Sequence, residues 1–317
     1  MIIYLASTTD VLKFQEDFRP PVPMSVLLSY RGKKDRHVQN LLHHKKFSDD
    51  IMVDSGAYGI QNNYAKDGRL PSVETFTNLA ISYRDSIIEA SNKGVKLSCF
   101  AELDIPTLVG WEQVTKWREE IFFPLQDKIS TPLVFALADT YPEDVLSKFI
   151  EDPRIHYVAY PSFAKAAGED KKIIYDEILS FYKSGIRVHG YGNISPDALK
   201  SYPYYSVDAT SWAFSVGMVG AFLYFDQMTG SLKGVGLGKR VTKVRRYGNY
   251  AMLKSRGIML PKDVLKIDGA IPKPLMKELL ELQITQYKAM EKYYTSYWKK
   301  RGVDWEAQLE AFGETNG

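Results

Sequence analysis

Short apolar runs alternate with stretches of helical period along the chain, and this alternation constrains the fold more than any other feature. The runs fall at residues 2–5, 25–29, 51–53, 96–101, 132–136, 156–160, 187–191 and 205–207. Amphipathic stretches at 73–92, 112–128, 143–150, 170–183 and 196–201 separate several of them. Breakers mark the joints: Asn92-Lys93-Gly94 before the fourth run, Asp152-Pro153 before the sixth, Ser184-Gly185 before the seventh. Parallel strands cannot be joined by a tight turn, so strand–helix alternation implies parallel β/α units. Eight such units predict an α/β fold of the (β/α)8 TIM-barrel type, with an open doubly wound sheet as the rival. The 317 residues hold a barrel of ~250 residues and an addition. After Gly230 the chain turns basic and glycine-rich, then helix-like over 273–300. The expected division is a catalytic barrel over 1–230 and a basic, partly helical C-terminal extension over 231–317.

Composition narrows the function classes. Cys99 is the one cysteine, which excludes an internal disulfide and a multi-cysteine zinc site. No metal and no other cofactor is expected. No run of ~18 apolar residues suggests a membrane span, and the short apolar start lacks the basic segment of a signal peptide. The chain therefore reads as cytoplasmic, with no membrane partner. Aromatic residues make up 13%, which suits either a tyrosine-rich core or stacking on bases. His43-His44 lies in a lysine-rich stretch and reads as a solvated face.

In a barrel the chemistry gathers at the C-terminal ends of the strands. Three acids fall there: Asp54 in Val53-Asp-Ser-Gly-Ala-Tyr58, Asp104 in Ala101-Glu-Leu-Asp-Ile-Pro106, and Asp208 in Ser206-Val-Asp-Ala-Thr210. Each alone could cap a following helix. Together they suit chemistry at an anomeric carbon, where one carboxylate attacks C1′ and another moves protons for the leaving group. A third carboxylate can bond the exocyclic amine and ring N–H of a guanine-like base. Ser55 and Gly56 flank the first acid, and Ser162, His189, Gly190 and Tyr191 stand at the sixth and seventh strand ends, where small residues admit a flat ligand. These six are the candidate base-contacting residues beside Asp104. Gly234-Val-Gly-Leu-Gly238 has no clear strand before it and reads as a flexible loop, not a dinucleotide site.

These motifs resemble the tRNA-guanine transglycosylase family of (β/α)8 barrels. Val53-Asp-Ser-Gly-Ala-Tyr58 is similar to the family's Asp-Ser-Gly-Gly-Phe segment. Ala101-Glu-Leu-Asp-Ile-Pro-Thr107 is similar to the strand end that bears its base-recognising aspartate, and Val188-His-Gly-Tyr-Gly-Asn-Ile-Ser-Pro-Asp197 to its Gly-x-Gly-x-Pro-Glu/Asp turn. Ser206-Val-Asp-Ala-Thr-Ser211 is similar to its Gly-x-Asp-x-x-Asp nucleophile strand. The resemblance covers about residues 50–215. It implies that Asp54 is the acid/base, Asp104 the base reader and Asp208 the nucleophile of a covalent glycosyl-enzyme. Two departures stand out. The family's usual nucleophile position falls on Ser211, so Asp208 takes the role through a local shift, and the family's three-Cys, one-His zinc site is absent. The pattern is most like the phage and bacterial relatives that exchange guanine in DNA for a 7-deazaguanine such as preQ0 or preQ1. DNA is thereby favoured over tRNA, a 7-deazaguanine base is the implied co-substrate, and the host cytoplasm is the implied location if the chain is phage-encoded.

The net charge of +3 hides an asymmetry. Residues 227–262 carry nine bases and no acid: Lys233, Lys239, Arg240, Lys243, Arg245, Arg246, Lys254, Arg256 and Lys262. Without them 32 bases face 38 acids, so the rest of the chain is acidic. Basic residues interleaved with Tyr247 and Tyr250 suit phosphate contacts and stacking, and Lys233, Lys239, Arg240, Lys243, Arg245, Arg246 and Tyr247 are the candidate nucleic-acid contacts. The expected function is a base-exchange transglycosylase acting on a nucleic acid. The alternatives are a tRNA enzyme, a barrel glycoside or nucleoside hydrolase that would not need the basic segment, and a non-catalytic nucleic-acid-binding subunit. A homodimer stays open.

Overall fold

The computed structural model describes residues 1–6, 20, 22–67, 71–137, 145–161, 169–238, 241–268 and 270–311. Eight parallel strands close into a barrel: β1 Ile2–Ala6, β2 Met24–Ser29, β3 Ser48–Asp54, β4 Cys99–Ala101, β5 Leu133–Ala136, β6 Tyr157–Tyr160, β7 Arg187–Gly190 and β8 Ser206–Ala209. β1 closes the ring against β8 with Tyr4 beside Asp208. The chain is thus a (β/α)8 TIM barrel, and all eight expected strands are present within a few residues of their expected ends.

Helices wrap the ring: α1 Lys34–His44, α2 Ala57–Asp67, α3 Val73–Asn92, α4 Pro106–Val109, α5 Trp111–Trp117, α6 Phe123–Ile129, α7 Val145–Glu151, α8 Glu169–Lys183 and α9 Pro196–Ser201. The expected 112–128 helix is broken by a π-helical turn at Arg118–Phe122, just before Pro124, which has no N–H to give to the ladder. Ser72 caps α3 and Ser195 caps α9, each accepting from the N–H three residues on. The expected solvated pair at 43–44 is corrected. His44 is buried, bonded to the Asn40 carbonyl and tilted against Phe47, and burial pushes its imidazole down to about 4.

Side chains alternate across each strand. Ile3, Leu5, Ile51, Val53, Val158 and Val207 point outward into the shell under the helices. Tyr4, Ala6, Met52, Cys99, Ala101, Tyr157 and Ala159 point into the barrel and pack together. The same parity carries Asp54, two residues beyond Met52, and Asp208, two beyond Ser206, toward the interior. In the same way His189 and Tyr191 share a face of β7.

Beyond β8 come α10 Ser211–Phe214, a π turn at Ser215–Val219, the hairpin β9 Ala221–Asp226 and β10 Ser231–Gly236, α11 Lys243–Ser255, a 3₁₀ turn at Lys262–Lys266, α12 Lys273–Lys299 and α13 Trp305–Ala311. The hairpin spans residue 230. Gly234-Val-Gly-Leu-Gly238 is therefore mostly strand, correcting the loop expectation. Gly238 is there for packing, since a Cβ on it would stand 3.2 Å from the Gly220 Cα. α12 returns to the barrel: Tyr287 bonds Ser211, Glu291 accepts from the Ile3 N–H, and the Met1 amine donates to Thr295. It thus packs against β1 and the segment that follows β8, as an eighth barrel helix would. At the opposite end from the three acids, α12 and Trp305 line a cavity of about 990 Å³ with Tyr157, Arg187 and Tyr205.

Gln283 holds the excursion 211–272 to the barrel. Its amide donates to the Trp212 carbonyl and to Ser215 Oγ (2.9 Å), and its oxygen accepts from the Leu223 N–H at 2.8 Å, all in full burial. Gln286 accepts from the next outward N–H of β9, Phe225. These amides satisfy an edge strand that has no neighbour on that side. Gln283→Leu leaves the Leu223 N–H without its partner and removes the donor to Trp212 and Ser215, which keep their bond to each other, and should lower unfolding stability by about 1–3 kcal/mol in urea melts.

Candidate active site

Asp54 ends β3, and its place is held from three sides. Its backbone carbonyl accepts from Tyr30 N–H (2.8 Å), and its Oδ2 accepts from the Gly56 N–H (3.2 Å). The Ser29 hydroxyl bonds its carboxyl from the neighbouring strand. Gly56 sits at φ +80°, where a Cβ would meet the Tyr30 carbonyl at 2.2 Å. Only glycine makes this turn, so Gly56 serves by aiming its N–H at Asp54. Asp54 caps no helix; its carboxyl bonds the turn before α2.

Asp104 lies three residues beyond β4. Gln61 of α2 donates to its backbone carbonyl at 2.8 Å, tying the third and fourth loops together. Ser55 is buried near the Asp104 carboxyl, and its hydroxyl has no hydrogen-bond partner among the described residues. Beneath, Glu102 forms a buried fork with Arg118, at 2.8 and 2.9 Å, and the Arg118 guanidinium lies over Phe135 and Phe149. Tyr83 reaches the carbonyls of Val53 and Ala101 and so bridges the ends of β3 and β4.

Asp208 is buried, with 12% of its side chain exposed. Its Oδ1 accepts from the Gly192 N–H at 2.7 Å and lies 3.4 Å from His189 Nε2. His189 itself is fully buried between Tyr4 and Tyr191, so the expected base contact is corrected: it touches Asp208, not the open mouth. Ser211, at the family's usual nucleophile position, bonds Tyr287 Oη at 2.9 Å and is committed to α12.

The three carboxyls converge. Burial pushes Asp54 up from its ordinary value, and the nearby charge of Asp208 pushes it further, against the Ser29 and Gly56 bonds. Burial drives Asp104 well above the usual carboxylate range, with Asp54 and Glu102 adding to it and Ser55 opposing. The Tyr191 phenol, whose Oη has no hydrogen-bond partner among the described residues, is raised by burial and then by Asp54, Asp104 and Asp208 in turn. One side chain thus feels all three acids. Two carboxyls and a phenol held toward their neutral forms beside a third carboxyl form a set able to donate and accept protons.

Other expected contacts fall differently. Gly190 lacks a side chain because the Tyr204 ring fills that space, 2.9 Å from where a Cβ would stand, so packing by itself requires glycine here. Ser162 lies outside the described residues, as do Lys239 and Arg240. Arg246 is buried and donates to the carbonyls of Ile267, Gly238 and Val241, which corrects its assignment to nucleic acid. Lys233 and Arg256 both pair with Asp226, the acid just ahead of the acid-free stretch. Lys243, Arg245, Tyr247 and Lys254 are exposed on α11, which lies beside β10 through the bond from Asn249 to the Gly236 carbonyl. Ser29 and Gln61 escaped sequence reasoning; alternation places Ser29 beside Asp54, nothing local signals Gln61, and Gly192 stood in the Gly190-Tyr191-Gly192 turn without a role of its own.

Among the described residues no group of three or more His, Cys, Asp and Glu is gathered tightly enough to hold a metal ion, and no helix is long and apolar enough to cross a membrane. No protein-family model and no curated protein matches the chain.

The raised Asp104 has a thermodynamic consequence. The folded state holds its proton more tightly than the unfolded chain, so unfolding stability falls as pH rises above the ordinary carboxylate value of 3.8. Asp104→Asn removes this penalty. It should stabilise the fold at pH 7 by about 0.5–2 kcal/mol, a gain that shrinks toward pH 4. Thermal melts across that range check it; a loss of stability at pH 7 would refute the assignment.

Proposed function

We propose that this barrel is a base-exchange transglycosylase acting on a nucleic acid, replacing guanine with a 7-deazaguanine. The observation that carries the reading is the convergence of Asp54, Asp104 and Asp208 from β3, β4 and β8, with all three acting on the Tyr191 phenol. Asp208 attacks C1′; the C1′–N bond breaks and its electron pair leaves with the base. Asp54, held toward its protonated form, supplies the proton that the departing base needs. The incoming deazapurine then gives a proton back and attacks the same carbon, so two displacements retain configuration. Asp104 reads the base: the ring N–H and exocyclic amine of guanine offer donors to its carboxyl, replacing the solvation lost on burial.

Charge supports a polymer substrate. An acidic mouth suits a base and its sugar but repels phosphate, whereas the exposed Lys243, Arg245 and Lys254 of α11 suit a phosphate backbone. Reaching buried carboxyls requires an unstacked base, so a flipped or single-stranded target is expected. DNA is favoured over tRNA on the resemblance alone. The commitment of Ser211 to Tyr287 favours Asp208 as nucleophile.

Incubation with labelled guanine and either DNA or tRNA should put label into one polymer, and Asp208→Asn should abolish it. No incorporation into either polymer by the unaltered protein refutes the reading; incorporation by Asp208→Asn refutes the nucleophile. Adjacent arginines separate binding from folding. Arg245→Ala should weaken polymer binding and flatten its salt dependence by about one counterion, with stability within about 0.5 kcal/mol. Arg246→Ala should destabilise the fold by about 2–4 kcal/mol, because it takes the buried guanidinium away from the carbonyls of Ile267, Gly238 and Val241.

A further inference from the structure

A file of polar side chains runs up the barrel interior to Asp208. Tyr157 Oη meets Ser206 Oγ, and Ser206 Oγ meets His189 Nδ1 at 2.6 Å. His189 Nε2 faces Asp208 Oδ1 at 3.4 Å, long for a hydrogen bond and chiefly an electrostatic contact. Polar groups are rare in the packed centre of a barrel, and an apolar set would fill this space at no desolvation cost. Strand parity explains how they meet: Tyr157, His189 and Ser206 all point inward, and His189 and Ser206 are paired neighbours across β7 and β8.

Proton counting gives the file a direction. Burial keeps the Tyr157 phenol protonated, and its partner among the described residues is Ser206, so Tyr157 donates to Ser206 Oγ. The Ser206 hydrogen is then free for His189 Nδ1, which must be the bare nitrogen. With Nδ1 accepting, the His189 hydrogen sits on Nε2, which lies 3.4 Å from Asp208 Oδ1 without making a hydrogen bond to it. The rings of Tyr4 at 6.1 Å and Tyr191 at 4.8 Å hold the imidazole on either side. The Gly192 N–H converges on the same Oδ1 at 2.7 Å. The Gly192 bond and the His189 contact thus fall on one oxygen, and Oδ2 has no protein donor among the described residues.

We propose that Tyr157, Ser206 and His189 are positioning residues that hold Asp208 by Oδ1 and present Oδ2 as the atom that bonds C1′. The inference rests on the transglycosylase reading. As the Oδ2–C1′ bond forms, the C1′–N bond breaks and its electron pair leaves on the base, which takes the Asp54 proton. Oδ1 becomes the ester carbonyl and keeps the Gly192 bond and the His189 contact, so nothing around it reorganises during the step. A displacement of Asp208 by even ~1 Å would cost about 100-fold in rate.

The test uses base exchange in the full chain and ¹⁵N NMR of the histidines. Ser206→Ala should lower kcat about 10- to 100-fold with KM for guanine unchanged, and Ser206→Thr should restore most of it. Tyr157→Phe should lower kcat less, and the double variant should be no worse than Ser206→Ala alone, because both cut one file. Unchanged kcat in Ser206→Ala, a parallel rise in KM, or additive losses would overturn the proposal. NMR reads the file without activity: His189 should carry its hydrogen on Nε2, and Ser206→Ala should move the Nδ1 resonance. A hydrogen on Nδ1 overturns the proposal. An unaltered protein that exchanges no base refutes the transglycosylase reading, and with it the role of Oδ2, whatever the NMR shows.

Discussion

Closure of eight parallel strands is the constraint on which the rest depends. A closed parallel ring has a single interior, and the two-residue period of a strand sends every second side chain into it. Tyr4, Met52, Cys99, Ala101 and Tyr157 fill that interior, and the next inward positions toward the C-terminal rim are Asp54 and Asp208. Acids that are remote in sequence therefore share one low-dielectric space. Nothing about Asp54 or Asp208 alone makes them partners; parity and closure do.

The same constraint makes the site expensive. Burial raises Asp54 and Asp104; the charge of Asp208 adds to the first and that of Asp54 to the second. The fold offsets this with local donors, the Gly56 and Gly192 N–H groups and the Ser29 hydroxyl, while Tyr83 ties the two strand ends together beneath. Such a set holds proton donors and acceptors at neutral pH without a charge on every group, as acid–base chemistry at a sugar carbon requires. The basic surface lies elsewhere, on α11, separated from the barrel by a hairpin. The electrostatic labour is divided between an acidic mouth and a basic flank.

How much of this was legible in the sequence depended on how local the signal was. The eight strands were, because each is an apolar run bounded by breakers. The three acids were, because each directly follows such a run. Arg246 and Arg245 look alike as neighbours in a charge run, yet one turns into three carbonyls and the other into water. His189 read as a ligand contact because strand ends carry chemistry, but its ring packs under Tyr191 and reaches Asp208 instead. Gly190 read as room for a ligand, and Tyr204 occupies that room.

The sequence by itself determined the parallel β/α class, the order of its strands, and the placing of Asp54, Asp104 and Asp208 at or just beyond strand ends, while closure of the ring over an open sheet came with the pairing of β1 and β8. The class, the order and the placing follow from periodicity and from the breakers, which act over a few residues. The tertiary structure decided which polar groups meet. The Tyr157–Ser206–His189 file, the Gln61 and Gln283 brackets, and the return of α12 to the barrel all join residues distant in the chain. Such pairings are fixed by ring closure and by the need to satisfy every buried donor and acceptor, and neither is visible in any one segment.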